Sequence, residues 1–218
     1  MSTPSISGAG GARIDRVVTS GTFSLDGGTW EVDNNVWLVG DDSEVLVVDP
    51  AHDAPAILAA VGDRDVTAIV CTHGHNDHIS AAGDLWDATK APIWLHPGDR
   101  MLWDTVYPDM APGGELSDDQ RFTVAGVEIR ALHTPGHSPG SVSLRARDLD
   151  AVFTGDTLFA GGPGATGRSY SDFETIIASI RDRLFTLPLE TVVYTGHGDT
   201  TTVGSEIPHL QEWIARGW

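Results

Sequence analysis

Short apolar runs closed by turn residues dominate the first half of the chain. Val36-Trp37-Leu38-Val39 and Val45-Leu46-Val47-Val48, the second ending at Asp49-Pro50, read as buried strands. Short runs rich in β-branched residues, with Gly, Asp or Pro at their ends, favour extended structure over helix. Pro55, Ile57, Leu58 and Val61 have amphipathic spacing and predict a helix, with proline near its start where a missing N–H costs nothing. A third buried strand, Val66 to Cys71, runs straight into a polar, His-rich turn. A helix over Ser80 to Ala88 and a strand at Ile93-Trp94-Leu95 follow. The stretch 97–114 reads as irregular but carries Met101, Trp103, Tyr107 and Met110, which either pack locally or overhang a site. Arg121 to Val124 and Val127 to Leu132 form a strand pair about Ala125-Gly126, and Ser141 to Leu144 and Ala151 to Thr154 are further strands. Ser171-Asp172-Phe173-Glu174 is a capping-box pattern opening a helix with Ile176, Ile177, Ile180 and Leu184 on one face. Strand Thr191 to Thr195 and a helix marked by Ile207, Leu210 and Ile214 close the chain. Two groups of strands, each with helices outside it, predict an α/β layered domain in which both sheets share one core. Residues 1–12, rich in Ser, Gly and Ala, predict a loose tail, and 13–218 a single domain.

Composition narrows what such a domain does. The 218 residues carry 13 Lys+Arg against 31 Asp+Glu, a formal charge of −18 at pH 7. An apolar content of 40% with 7 Trp, 6 Phe and 3 Tyr excludes a disordered acidic chain, so the charge belongs on the outside of a folded body. Nucleic acid is excluded as a partner, because displacing its counterions needs clustered Lys and Arg, and here Lys90 is the only lysine and the arginines are scattered. No stretch approaches the ~20 apolar residues of a membrane span. Cys71, the single cysteine, cannot form an internal disulfide, which suits the cytoplasm. Oligomeric state is not legible.

The chemistry concentrates in Thr72-His73-Gly74-His75-Asn76-Asp77-His78, three imidazoles and a carboxylate within six residues directly after a buried strand. Imidazole and carboxylate together suit Zn, Fe, Mn or Co. Alternate residues 73 and 75 point to one side while 77 and 78 swing to another, so the turn serves two ions. His137, Asp156 and His197 recur in the same setting, each near a strand end in a Gly-containing turn. Of the other histidines, His52, His96 and His209 read as surface or packing residues, and His133 as a neighbour of His137. Cys71 reads as a small apolar residue.

This order of motifs resembles the metallo-β-lactamase-fold superfamily, and within it the glyoxalase II-like (hydroxyacylglutathione hydrolase-like) branch, from Asp49 through His197. The resemblance implies an αββα sandwich with two divalent ions at one edge between the sheets. Zinc is the first expectation, with iron or manganese as alternatives. His73, His75 and His137 would hold the first ion, Asp77, His78 and His197 the second, and Asp156 would bridge them. Asp49 would support the ligand loops from behind.

The implied reaction is hydrolysis of a small thioester, the S-acyl conjugate of a low-molecular-weight thiol, by a hydroxide held between the ions and oriented by Asp77. Alternatives on the same ligands are a lactonase and a mononuclear iron persulfide dioxygenase. Gly167-Arg168-Ser169-Tyr170 resembles the segment that contacts the thiol substrate, making Arg168 and Tyr170 candidate binding residues. The C-terminal helical region that clamps glutathione carboxylates in full-length glyoxalase II enzymes has no counterpart after His197. A neutral carrier of the mycothiol type therefore stands beside glutathione as the expected thiol.

Overall fold

The computed structural model describes residues 11–217. Six strands form the first sheet in the order β1 (Arg13–Leu25), β2 (Gly28–Gly40), β3 (Glu44–Val48), β4 (Asp65–Val70), β5 (Ile93–Leu95) and β6 (Gly114–Glu115). β1 and β2 are an antiparallel hairpin 13 residues long on each side, whereas β3 to β6 run parallel. The hairpin turns at Asp26-Gly27, both at positive φ (53 and 77), the backbone that the Asp-Gly pair adopts most readily. In the second sheet β7 (Arg121–Val124), β8 (Val127–His133), β9 (Val142–Ala146) and β10 (Ala151–Gly155) are antiparallel neighbours. The short strands β11 (Leu158–Phe159) and β12 (Gly162–Pro163) pair with each other outside it, and β13 (Val192–Thr195), parallel to β10, and β14 (Thr201–Thr202) complete it.

Side-chain alternation assigns the layers. Trp37, Leu46, Val48 and Val70 of the first sheet meet Ile129, Leu144, Phe153 and Tyr194 of the second in a shared core. The opposite faces, Leu38, Val47 and Ile69 on one sheet and Val152 and Val193 on the other, are covered by helices. α1 (Ala54–Val61), α2 (Asn76–Ile79), α3 (Ala82–Thr89) and α4 (Arg100–Val106) precede the second sheet; α5 (Phe173–Ser179), α6 (Val203–Glu206) and α7 (Leu210–Arg216) follow it. The α/β expectation and the αββα sandwich therefore hold.

Several details differ from the pattern reading. The long hairpin spans residues 13–40, and its part before Val36 matches no element of the pattern reading. Ala12, expected in the tail, is fully buried in the shared core; residues 1–10 lie outside the described residues. The helix predicted at 80–88 is α3, and a separate single turn, α2, precedes it at the end of the His-rich stretch. Residues 97–114 hold α4 rather than irregular chain. Asp172, not Ser171, caps α5, its side chain accepting from Thr175 N at 2.8 Å. Among the described residues no helix is long and apolar enough to cross a membrane.

Candidate metal centre

Every proposed ligand follows a strand. His73 to His78 leave β4, His137 lies in the turn after β8, and Asp156 and His197 follow β10 and β13. Backbone bonds between the sheets fix these turns together: Val142 N to Thr72 O and Asn35 N to Gly196 O, each 2.8 Å. Glycine is required at two of the junctions. Gly155 sits at φ +48, and a Cβ there would be 2.2 Å from Thr72 Oγ1. One at Gly196 would be 2.2 Å from Asp156 Oδ1.

The structure brings all seven predicted ligand residues together. The rings of His73, His75 and His137 stand 4.8–4.9 Å apart and nearly perpendicular to one another. Beside them Asp77 Oδ2, His78 Nε2 and His197 Nε2 lie 3.2–3.5 Å apart. Asp156 faces both groups, with Oδ1 3.3 Å from His78 Nε2 and Oδ2 3.6 Å from His137 Nε2 and 3.5 Å from His197 Nε2.

Hydrogen bonds behind the rings set which nitrogen points inward. His137 Nδ1 donates to Ala165 O (2.9 Å) and His197 Nδ1 to Asp33 O (2.7 Å), since a carbonyl can only accept. Asp49, buried at φ 52, accepts from Thr72 N (2.6 Å), Thr72 Oγ1 (2.7 Å) and His78 Nδ1 (3.0 Å). With its hydroxyl proton committed to Asp49, Thr72 Oγ1 accepts from His73 Nδ1 at 3.1 Å. In the neutral form of each of these four rings Nε2 is the inward lone pair. His75 presents Nδ1 instead, 3.0 Å from His137 Nε2.

These residues fit divalent ions. Buried side-chain polar atoms are nearly always paired, at a cost of about 1–3 kcal/mol when they are not. Among the described residues the buried unpaired atoms are Thr19 Oγ1, the outward His75 Nε2, and three that face the centre: His73 Nε2, Asp77 Oδ1 and Asp156 Oδ1. Donors about 2.1 Å from one tetrahedral ion stand ~3.4 Å apart, which matches the spacing of Asp77, His78 and His197.

The two groups differ electrostatically. Burial, reinforced by the neighbouring rings, holds the His73 imidazolium well below its ordinary pKa, and burial lowers His75 to about 3. For His78 and His197 burial acts in the same direction but is outweighed by carboxylates. Asp156, Asp77 and the Asp49 hydrogen bond drive His78 well up, and Asp156 with Asp77 takes His197 to about 10. Against their own burial, Asp77 and Asp156 are held below the usual carboxylate range, in both cases chiefly by the charge of His78.

A cavity of about 240 Å³ opens onto His75, Asp77, His137, Asp156 and His197. Its roof is the β1–β2 hairpin, through Phe23, Leu25, Trp30 and Val32. The hairpin is tied down at its tip, where Ser169 N and Oγ donate to Asp26, and at its side, where Asn76 Nδ2 donates to Thr22 O and Asn76 Oδ1 accepts from Ser24 N. Arg168 lines this cavity, its guanidinium 3.9 Å from the Trp30 ring centre and 5.5 Å from that of Phe23. Tyr170 does not. It is exposed and borders a second hollow of about 430 Å³ toward the hairpin tip, with Ser24, Thr29, Asn76, Met101 and Thr105, which meets the first at Leu25, His75 and Ser169. Trp103, Tyr107 and Met110 pack beneath α2 and α3 and leave only Met101 of that group beside a cavity.

Pattern reading missed three residues here. Asn34, fully buried in β2, points its amide at Asp77, His78 and His197. His52, expected at the surface or in packing, is half-buried and 2.8 Å from Asn34 Oδ1 through Nε2. Asp99, also fully buried, accepts from Gly74 N (2.8 Å), Ser138 Oγ (2.6 Å) and Gly140 N (2.6 Å), so it ties the loop of His73 and His75 to that of His137. Burial raises its pKa. His133 braces the same turn through Nε2 and Pro139 O (2.9 Å) and stacks on His96 at 4.2 Å. Cys71 is buried, which pushes its thiol pKa up.

Comparison with known proteins gives a consistent set. The family model of the metallo-beta-lactamase superfamily matches residues 29–197. Probable metallo-hydrolase YqgX of Bacillus subtilis is 34% identical over 187 residues, 79% of this chain and 88% of that protein. Hydroxyacylglutathione hydrolase GloC of Haemophilus influenzae is 31% identical over 189 residues, covering 79% and 89%. Among solved structures, TTHA1623 in a di-iron-bound form superposes with a TM-score of 0.71 at 32% identity, over 81% of this chain and 93% of that one. ETHE1 from Myxococcus xanthus gives 0.71 at 26%, over 92% and 89%.

Proposed function

The chain belongs to the metallo-β-lactamase superfamily, and on that premise we propose that it is a dinuclear metal-dependent hydrolase of small thioesters, the S-acyl conjugates of a low-molecular-weight thiol. One observation carries the reading: seven buried or half-buried ligand-type side chains converge in two adjoining groups directly beneath an apolar cavity. The resemblance to the hydrolase GloC supports the substrate class. His73, His75 and His137 would hold one ion, Asp77, His78 and His197 the other, with Asp156 between them; zinc is the proposed metal. Two such ions, when bound, supply Lewis acidity to a carbonyl and a departing thiolate and bring the pKa of water toward neutrality.

The chain's own residues do the rest. Asp77 commits Oδ2 to Asn34, while Oδ1 is buried without a partner. Held anionic by His78, that oxygen accepts a hydrogen bond from the attacking water and takes its proton. Phe23, Leu25, Trp30 and Val32 shed water and seat the acyl chain. Among the described residues Arg168 has no carboxylate within ion-pair distance and is held in place by two aromatic rings; it is the group available to an acyl oxygen or carboxylate. Among the described residues the hollow by Tyr170 mixes apolar Leu25, Met101 and Leu102 with hydroxyl and amide groups, and Asp26 is its only carboxylate, with no Lys or Arg in the lining, which supports a neutral, mycothiol-like carrier over glutathione. A cytoplasmic protein without nucleic-acid or membrane partners completes the proposal.

The test is thiol release from S-acyl mycothiol and S-acyl glutathione, run beside oxygen uptake with a thiol persulfide. Thiol release without oxygen uptake, faster for mycothiol, is expected. Oxygen consumption with no thiol release would refute the hydrolase in favour of a dioxygenase.

A further inference from the structure

Asn34 is surrounded as a ligand is. The atom at its inner amide position stands 3.1 Å from Asp77 Oδ2, 3.3 Å from His78 Nε2 and 3.4 Å from His197 Nε2. Those three atoms are themselves 3.5, 3.2 and 3.3 Å apart. Four residues thus place one atom each at the corners of a nearly regular tetrahedron. Its edges are those of four donors about 2.1 Å from a single ion, ~3.4 Å. Asn34 completes the figure as well as any of those three does, with the bridging candidate Asp156 a further donor 3.3 Å from His78 Nε2.

The amide orientation decides what that corner offers. His78 and His197 each point the Nδ1 proton elsewhere, so in the neutral, ion-binding form of the rings both direct Nε2 lone pairs inward, alongside the Asp77 carboxylate. Converging lone pairs of this kind accept either the two protons of an amide nitrogen or a cation, and a cation repels an inward NH2. Half a turn about the last side-chain bond exchanges the amide nitrogen and oxygen and keeps both positions. An inward carbonyl oxygen is a neutral ligand of the type divalent ions accept.

His52 permits the exchange. Its Nε2 is 2.8 Å from the outer amide atom and its Nδ1 3.4 Å from the Ser80 hydroxyl, which both donates and accepts. Shifting the ring proton from one nitrogen to the other lets His52 serve an outward carbonyl or an outward NH2 equally. Room for the ring depends on Gly21 in β1, where a Cβ would be 2.2 Å from His52 Nδ1.

We propose that Asn34 is a further ligand of the second metal site through its amide oxygen, with His52 holding the amide in either orientation. This rests on the two-ion reading and not on the identity of the substrate, so the test reads metal binding alone. Zinc affinity of the weaker site is measured by competition with a chromophoric chelator in wild type, Asn34→Leu and Asn34→Asp, and the visible bands of the cobalt-loaded forms are recorded. Asn34→Leu removes the oxygen at similar volume and is expected to weaken the second site about 10–100-fold and change its cobalt bands, with the first site unaltered. Asn34→Asp keeps an oxygen inward and is expected to bind at least as tightly as wild type. If Asn34→Asp instead weakens the site as much as Asn34→Leu, the inner atom is an N–H donor to Asp77 and the proposal fails. It fails equally if Asn34→Leu retains wild-type affinity. Asn34→Ala, which only removes atoms, replaces Asn34→Leu should circular dichroism show that variant unfolded. A wild-type chain that takes up one ion only overturns this inference and the two-ion reading together, whatever its substrate.

Discussion

The two halves of the metal centre lie within one cluster yet are built on opposite principles. The first half, His73, His75 and His137, is all imidazole, and burial keeps His73 and His75 uncharged at neutral pH. Its rings are braced from behind, by Thr72 and Ala165 on their outward nitrogens and by Asp99 on the backbone of both loops. The second half, Asp77, His78 and His197, is dominated by carboxylates that pull protons onto its rings. A site of preset neutral lone pairs takes an ion with little proton displacement. One that favours positive charge takes an ion only by expelling protons. The first half is therefore a fixed cradle and the second a charge-compensating one. That division suits the proposed reaction, because Asp77, the proposed proton acceptor, sits in the second.

The contrast breaks most visibly at Asp77. Asp77→Ala is expected to lower turnover of the proposed thioester about 10²–10⁴-fold while leaving the first ion bound, checked by steady-state kinetics beside metal analysis. Equal loss of both ions would show that the halves are not separable. Asp99→Asn tests the brace of the first half. It leaves at least one buried donor among Gly74 N, Ser138 Oγ and Gly140 N without an acceptor, at about 1–3 kcal/mol each. Urea unfolding of the chelator-treated protein should show that loss, with weaker binding at the first site and little change at the second.

pH separates the halves without mutation. His197, taken to about 10 by its carboxylate neighbours, is protonated at neutral pH in the protein alone, whereas His75, at about 3, is not. Affinity at the second site should therefore rise about tenfold per pH unit for each proton expelled between pH 6 and 8, and stay nearly flat at the first. Chelator competition at three pH values reads both slopes. The smallest effect concerns the roof of the cavity. Arg168→Gln should raise KM about tenfold with kcat little changed, since the guanidinium is placed by Trp30 and Phe23 and not by the metal ligands.

The seven candidate ligand residues that the structure brings together and the layered α/β fold were readable from the chain because each is a local signal. His73 to His78 is dense in ligand groups over six residues, and the strands before it are unbroken apolar runs. What escaped is non-local or two-faced. Apart from Ile14 and Val17, most of β1 and the first half of β2 stand clear of the core, so their apolar pattern is weak, although Asp26-Gly27-Gly28 was a hairpin signal in plain view. Asn34 is one polar residue in a strand, and only its approach to His197, 163 positions away, gives it meaning. His52 follows a positive-φ turn and contacts Asn34 across strands, while Asp99 lies in a stretch without periodicity and acts on residues 25 to 41 positions distant.

Stepwise return of zinc to chelator-treated protein, with thiol release from an S-acyl conjugate recorded after each addition, tests the paired centre most directly. Turnover should remain near background through the first equivalent, which fills the neutral cradle, and rise with the second. Full turnover at one ion per chain would contradict the account.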